Sequence, residues 1–395
     1  LMASGAASAR RFRLHRRADA APLAMSETVS KRNVWIDTMF KAVRLNALTY
    51  PVEPMEREEL ERAGAHWVAI EGQDPDEIVA AAADCDALLV VSSRVPGAVI
   101  DRLSRCRVLS RLGAGTDRID IPAATRHGIV VANVPDFCVN EMAEHVLALL
   151  LAWGRRLFVM TEAMRQGNWS ARHHPEVRRL AGQTLGLVGF GGSARAVAVR
   201  AVAFGMRLLA WARNPTKHGD AAARLGVELA PLERVLAESD FLSIHLPLTD
   251  ETRHLIGAAE LGRMKRSAVL INTARGAVVD EAALVECLRR RRIAGAALDV
   301  FETLDVFTLG GPAPTHPLLE LDNVILTPHS GGSSVESTLE SKLRGARHAV
   351  DVLQGRWPPH VVNPEVVPRT RLSFRARSTP RESAEPPEGF SERES

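Results

Sequence analysis

The 395-residue sequence predicts an α/β protein with two doubly wound parallel-sheet domains. Three observations point there. Short apolar, β-branched runs alternate with helical patterns, the arrangement that buries a parallel sheet beneath helices on both faces. A long apolar helix pattern, Glu141–Trp153, separates two rounds of that alternation without a low-complexity linker. A glycine-rich turn at residues 189–194 stands between a strand and a helix in the second round.

In chain order, residues 1–32 are rich in Ala, Arg and Ser and lack hydrophobic periodicity. They read as a disordered extension with Met25 a plausible initiator; an Arg- and Ser-rich transit peptide is the competing reading. Strands are expected at Val43–Ala47, His66–Ile70, Ala87–Val91, Val108–Leu112 and Ile129–Val134, with helices around Met55–Ala63, Asp76–Ala83, Ala98–Leu103 and Ile121–Arg126. The second round places strands at Thr184–Val188, Met206–Trp211, Phe241–His245, Ala268–Thr273, Ala296–Val300 and Asn323–Leu326. An amphipathic pattern over Ser334–Leu353 suggests a final helix returning to the first domain. The polar, proline-bearing residues 366–395 read as a disordered tail. The expected domains are 33–133 plus 329–365, and 134–328.

A composition of 46% hydrophobic and 25% charged residues is that of a soluble globular protein. The longest apolar run, Val146–Trp153, is far short of the roughly 20 residues that span a bilayer, so no membrane association is expected. The net charge of +3 misleads: five arginines and one aspartate in residues 1–24 leave the remainder near −1. No basic excess marks the folded body for nucleic acid. Cys85, Cys106, Cys138 and Cys287 show neither CxxC nor metal-ligand spacing. They read as free thiols in a reducing, cytoplasmic compartment, with no metal site.

The turn at Gly189, Phe190, Gly191, Gly192, Ser193 and Ala194 has G-x-G-x-x-A spacing. Gly189 permits the tight turn, Gly191 lets a pyrophosphate approach the backbone at the helix N-terminus, and Ala194 allows close helix–strand packing. A dinucleotide is therefore expected. About 20 residues further on, a carboxylate would bind the adenosine ribose and repel a 2′-phosphate. Here the strand ends instead in Ala212-Arg213-Asn214-Pro215-Thr216-Lys217. That tip favours NADP(H), with NAD(H) the alternative.

Ligands of open α/β sheets bind at the carboxyl ends of the strands. Three segments place polar groups there: Ile271–Asp280, Gly295–Glu302 and Leu326–His329. Hydride transfer to a carbonyl needs a cation to polarise it and a proton donor, and Arg275 and His329 supply those two types.

With these segments, Arg111-Leu112-Gly113-Ala114-Gly115-Thr116-Asp117, Asn133-Val134-Pro135, Ala143-Glu144-His145 and His245-Leu246-Pro247-Leu248-Thr249 closely resemble the D-2-hydroxyacid dehydrogenase family over residues 42–365. The resemblance implies a flavodoxin-like substrate domain and a Rossmann cofactor domain. It implies that Arg275 binds the substrate carboxylate and carbonyl, that His329 transfers the proton, and that amides near Leu112, Gly113, Ala114 and Gly115 cradle the carboxylate. Asp299 and the backbone of Asn272, Thr273 and Ala274 would orient the nicotinamide, while His245 and Pro247 line the cofactor cleft. Homodimers are implied, with the helix around His145 a candidate contact; His145 itself, on an apolar helix, reads as a packing or interface residue.

One position departs from the family. Its catalytic carboxylate, which pairs with the histidine, falls at Leu304 within Phe301-Glu302-Thr303-Leu304-Asp305-Val306. Either a one-residue shift lets Asp305 (less favourably Glu302) partner His329, or the acid is lost and the histidine's pKa falls. The expected activity is NAD(P)-dependent interconversion of a small 2-oxo acid and its D-2-hydroxy acid. The rival is a nucleotide-sensing, corepressor-like scaffold with weak or no catalysis.

Overall fold

The computed structural model describes residues 40–170, 177–304, 306–307 and 315–373. The N-terminal extension and Asp305 lie outside them. In the first sheet, β1 (Phe40–Arg44), β2 (Ala65–Ala69), β3 (Ala87–Val90), β4 (Val108–Arg111) and β5 (Val130–Ala132) lie all parallel in the order β2-β1-β3-β4-β5. That is the flavodoxin-like winding. Its faces are covered by two clusters, one around Val43, Leu88 and Leu109, the other around Leu89, Val108 and Val130. The helix Val335–Leu353 adds Ala346, Ala349 and Val352 to the second of these.

The second sheet holds seven parallel strands: β6 (Thr184–Val188), β7 (Arg207–Trp211), β8 (Glu228–Leu229), β9 (Phe241–Ile244), β10 (Val269–Asn272), β11 (Gly295–Leu298) and β12 (Val324–Leu326). Their order is β12-β11-β10-β9-β6-β7-β8, so the winding reverses between β6 and β9. Every residue of β6, β9 and β10 is buried, as a sheet covered on both faces demands. Helix starts are set by local chemistry. Asp120 accepts from the amide of Ala123, Asp280 from that of Ala283, and Ser334 and Ser337 form a capping box.

The first strand begins and ends earlier than the apolar run suggests. Asn46 adopts a left-handed φ of 63°, and its Oδ1 accepts from the amides of Ser92 and Ser93, which takes the chain out of the sheet after Arg44. The helix Leu157–Arg165 and the two-residue β8 were not expected. The disordered tail expected from 366 is corrected for its first residues. Val366 is buried, and Arg369 donates to the carbonyls of Leu103, Ser104 and His127. Among the described residues no helix is long and apolar enough to cross a membrane.

Candidate functional site

The glycine turn closes β6 at the reversal of the second sheet. Gly189 has φ 101°, and a β-carbon there would sit 2.5 Å from the carbonyl oxygen of His245. Only glycine fits. Its amide donates to Trp211 O and the amide of His245 donates to Val188 O, so the ends of β6, β7 and β9 are drawn together. A β-carbon on Gly191 would meet nothing within 4 Å, and the helix Gly192–Val202 starts without a side-chain cap. Open space before uncapped first-turn amides fits a pyrophosphate. Phe190 and Ala194 are buried in the core and contribute packing and backbone. The hydroxyls of Ser193 and Ser243 flank the two ring nitrogens of His245 at 3.2 and 2.9 Å. Burial lowers the His245 pKa to about 4, leaving a neutral imidazole two residues before the exposed Pro247.

At the tip of β7, Ala212 is buried and Arg213 exposed, 3.8 Å from Glu251. Asn214 accepts from the amide of Lys217, turning Lys217 and His218 back over the strand end. Arg195, four residues past Gly191, donates to Nδ1 of His218 at 2.7 Å and to Phe190 O. Arg195 was missed by sequence reasoning, because only folding brings it to His218 in Arg213's loop.

The loop after β10 is organised by Asn272. Its Oδ1 accepts from the amide of Ala274 and its Nδ2 donates to the carbonyl of Arg275, so this buried side chain supports the turn. Thr273 is buried with no hydrogen-bond partner for its Oγ1 among the described residues. Such an orphan fits a polar ligand at this point in the cleft. Arg275 donates through Nε to Asp117 at 2.9 Å and through Nη1 to Ala274 O at 2.6 Å. Its Nη2 faces Gly115, where a β-carbon would overlap it. Burial favours a protonated Asp117, but the charge and hydrogen bond of Arg275 outweigh it and lower its pKa.

The first-domain loop reads differently from expectation. Leu112 points away from the cleft, buried against Gly345 of the final helix. Gly113 spends its amide on Arg111 O. Ala114 and Gly115 have their carbonyls held by Asn133 Nδ2 and Arg111 Nε, and no described residue accepts from their amides. Arg111, quoted in the sequence only as part of a motif, is a second cation here. Burial, then the charge of Arg275, lowers its pKa to about 10, and its Nη1 is buried without a hydrogen-bond partner among the described residues.

His329 has a left-handed φ of 56° and donates its amide to Asp299 O and Thr327 O. Burial, then Arg275, lowers the imidazole pKa to about 4, while the charges of Asp299 and Asp117 oppose them. Its ring lies 4.8 Å from that of Phe307, which Arg118 covers from 4.7 Å. The Glu302 alternative is overturned: its Oε1 lies 2.7 Å from Nε2 of His254. Asp299 is 1% exposed; its Oδ1 accepts from Thr327 Oγ1 and Ser330 N, and its Oδ2 from Gly331 N. His145 faces inward to Thr327 at 3.0 Å and Asp299 at 3.4 Å, so it is neither plain packing nor a free interface residue.

Residues 147–331 match the family model "D-isomer specific 2-hydroxyacid dehydrogenase, NAD binding domain". A glyoxylate reductase of Korarchaeum cryptofilum is 41% identical over 288 residues, 72% of this chain and 84% of that protein. A D-3-phosphoglycerate dehydrogenase of Methanocaldococcus jannaschii is 37% identical over 79% of this chain and 58% of its own length. The crystal structure of a glyoxylate reductase from Paecilomyes thermophila superposes with a TM-score of 0.71 at 28% identity, covering 83% of this chain and 99% of that one. With two wound sheets, a dinucleotide turn at the reversal of one and an arginine facing a glycine loop of the other, the chain belongs to the D-isomer specific 2-hydroxyacid dehydrogenases.

Proposed function

We propose that this chain works as an NADPH-preferring reductase of small 2-oxo acids of the glyoxylate and hydroxypyruvate kind. As a family member it is an oxidoreductase that interconverts 2-oxo and 2-hydroxy acids with a nicotinamide dinucleotide. The observation that carries the residue assignment is the placement of Arg275. Two of its nitrogens are held by Asp117 and Ala274, and the third is presented to Gly115, beside amides that no described residue uses. A substrate carboxylate there would accept from Ala114, Gly115 and Arg275 together, and its C2 oxygen would share the guanidinium. His329 delivers the proton to that oxygen; burial first and the Arg275 charge second lower its pKa, and carboxylate binding offsets that charge. When bound, the reduced dinucleotide supplies the hydride to C2. Ser193, the first-turn amides and Gly191 would hold its pyrophosphate; Asn272, Thr273, Ala274 and Asp299 would position its nicotinamide end; His245 and Pro247 would wall the cleft. Arg213, with Lys217 and Arg195 in the same region and no acid among residues 212–217 that end the strand, supports NADP(H) over NAD(H). Asp305 remains the proposed carboxylate partner of His329.

Oxidation of NADPH and NADH over a panel of 2-oxo acids tests this reading. Turnover of glyoxylate or hydroxypyruvate with NADPH supports it. Tight dinucleotide binding without turnover overturns it and favours the scaffold reading, which the aromatic neighbour of the His329 ring among the described residues, Phe307, supports. A homodimer is also inferred. Because His145 is engaged inward, the contact moves to the apolar side chains exposed nearby, Phe158 (61% exposed), Trp169 (71%) and Val199 (54%). Light scattering on Phe158→Glu should report monomers.

A further inference from the structure

The loop that carries His329 follows β12 and holds its histidine at a left-handed φ of 56°, a conformation that side chains other than glycine rarely adopt. Something must over-determine it. The backbone on both sides is tied to one buried carboxylate. Asp299 accepts from Thr327 Oγ1 at 2.5 Å, from Ser330 N at 2.9 Å and from Gly331 N at 2.8 Å, while its own carbonyl receives the amide of His329. The Thr327 hydroxyl has a single proton, and Asp299, an acceptor when ionised, takes it. The contact of 3.0 Å between Thr327 Oγ1 and Nε2 of His145 must then run the other way, with His145 the donor. This fixes the tautomer: His145 carries its proton on Nε2.

We propose that His145 is a positioning residue for proton transfer, acting through a relay in which it donates to Thr327, Thr327 donates to Asp299, and Asp299 gathers the amides that hold His329 in the cleft. The proposal rests on the assignment of His329 as the proton-transferring group. It gives the helix Val139–Gly154, which otherwise packs on the second sheet, a hold on the loop of His329. It also supplies a reason why a chain with leucine at the usual carboxylate position could keep a working histidine. The negative charge of Asp299 opposes the fall in the His329 pKa, and burial alone would favour a protonated, uncharged Asp299. The hydrogen bonds from Thr327, Gly331 and Ser330, with His145 Nε2 3.4 Å from its Oδ1, reverse that preference and lower its pKa. Other charges acting on His329 are those of Arg275, Arg111 and Asp117.

The test compares His145→Leu, His145→Gln and Thr327→Val in the full-length protein, with His329→Ala alongside. Glutamine keeps an N–H at the reach of Nε2; leucine does not. Valine removes the relay hydroxyl at nearly constant volume and guards against a leucine variant that fails to fold. The expected result is a tenfold to hundredfold loss of reductive kcat in His145→Leu and Thr327→Val. Substrate KM and NADPH Kd should stay within about threefold, and the basic limb of the kcat–pH profile should move to lower pH. Most of the rate should return in His145→Gln. Wild-type kcat and pH limb in Thr327→Val and His145→Leu would overturn the proposal. So would a loss in which kcat, KM and NADPH affinity decline together and glutamine rescues nothing. Wild-type activity in His329→Ala instead removes the assignment on which the proposal rests.

Discussion

Arg275 leaves no room for a side chain at Gly115: its Nη2 occupies the space a β-carbon would fill, although the two residues are 160 positions apart. The first domain's glycine loop and the second domain's arginine form one surface. Alanine at Gly115 meets no backbone penalty, since its φ is not in the left-handed region, so the cost falls on the guanidinium. Gly115→Ala should raise the KM for the oxo acid and lower kcat/KM at least tenfold, with NADPH affinity and melting temperature nearly unchanged. Steady-state kinetics and a thermal melt check this.

Arg213 is 64% exposed at its side chain, with Glu251 3.8 Å away. A pair so exposed contributes little to folding. Arg213→Asp should therefore leave stability within about 0.5 kcal/mol while moving preference from NADPH toward NADH. Unchanged selectivity in kcat/KM for the two cofactors would rule out this residue as the discriminator.

Burial, then the charge of Arg275, lowers the His329 pKa to about 4. In the proposed mechanism reduction consumes the protonated ring, so kcat/KM for the oxo acid should decline as pH rises. As the proposed partner, Asp305 would lift that pKa. Asp305→Asn should lower reductive kcat about tenfold near neutral pH and shift the declining limb to lower pH. An unaltered profile would mean that the family's carboxylate is lost and that Asp299 acts on His329 in its place.

His348, on the final helix, is 4% exposed, and burial followed by the charges of His360 and Arg344 lowers its pKa to about 4. A histidine whose folded pKa is depressed binds its proton more readily in the unfolded chain. Its contribution to stability is thus lost as pH falls from about 6.5 to about 4, by roughly 3 kcal/mol at the lower end. His348→Phe should flatten the urea-measured stability curve over that range. Equal pH slopes in the two proteins would show that other groups carry the acid sensitivity.

Much of this protein is written locally. Strands and helices follow from apolar periodicity, which needs only neighbouring residues, and the glycine turn announces itself because Gly189 must adopt φ 101°. Arg275 and His329 were legible because each sits just past an apolar strand, where an α/β sheet opens. The tertiary structure decided what those residues touch. Leu112 faces Gly345 rather than the cleft, Glu302 turns to His254, and Asp117 and Arg111 join the site beside Arg275. Thr327 links Asp299 to His145 across a sequence separation of 182 residues. A strand's period is a property of a few consecutive residues. A buried charge chooses its partner only when packing has excluded water and brought distant groups within hydrogen-bonding reach, and no local pattern records that choice.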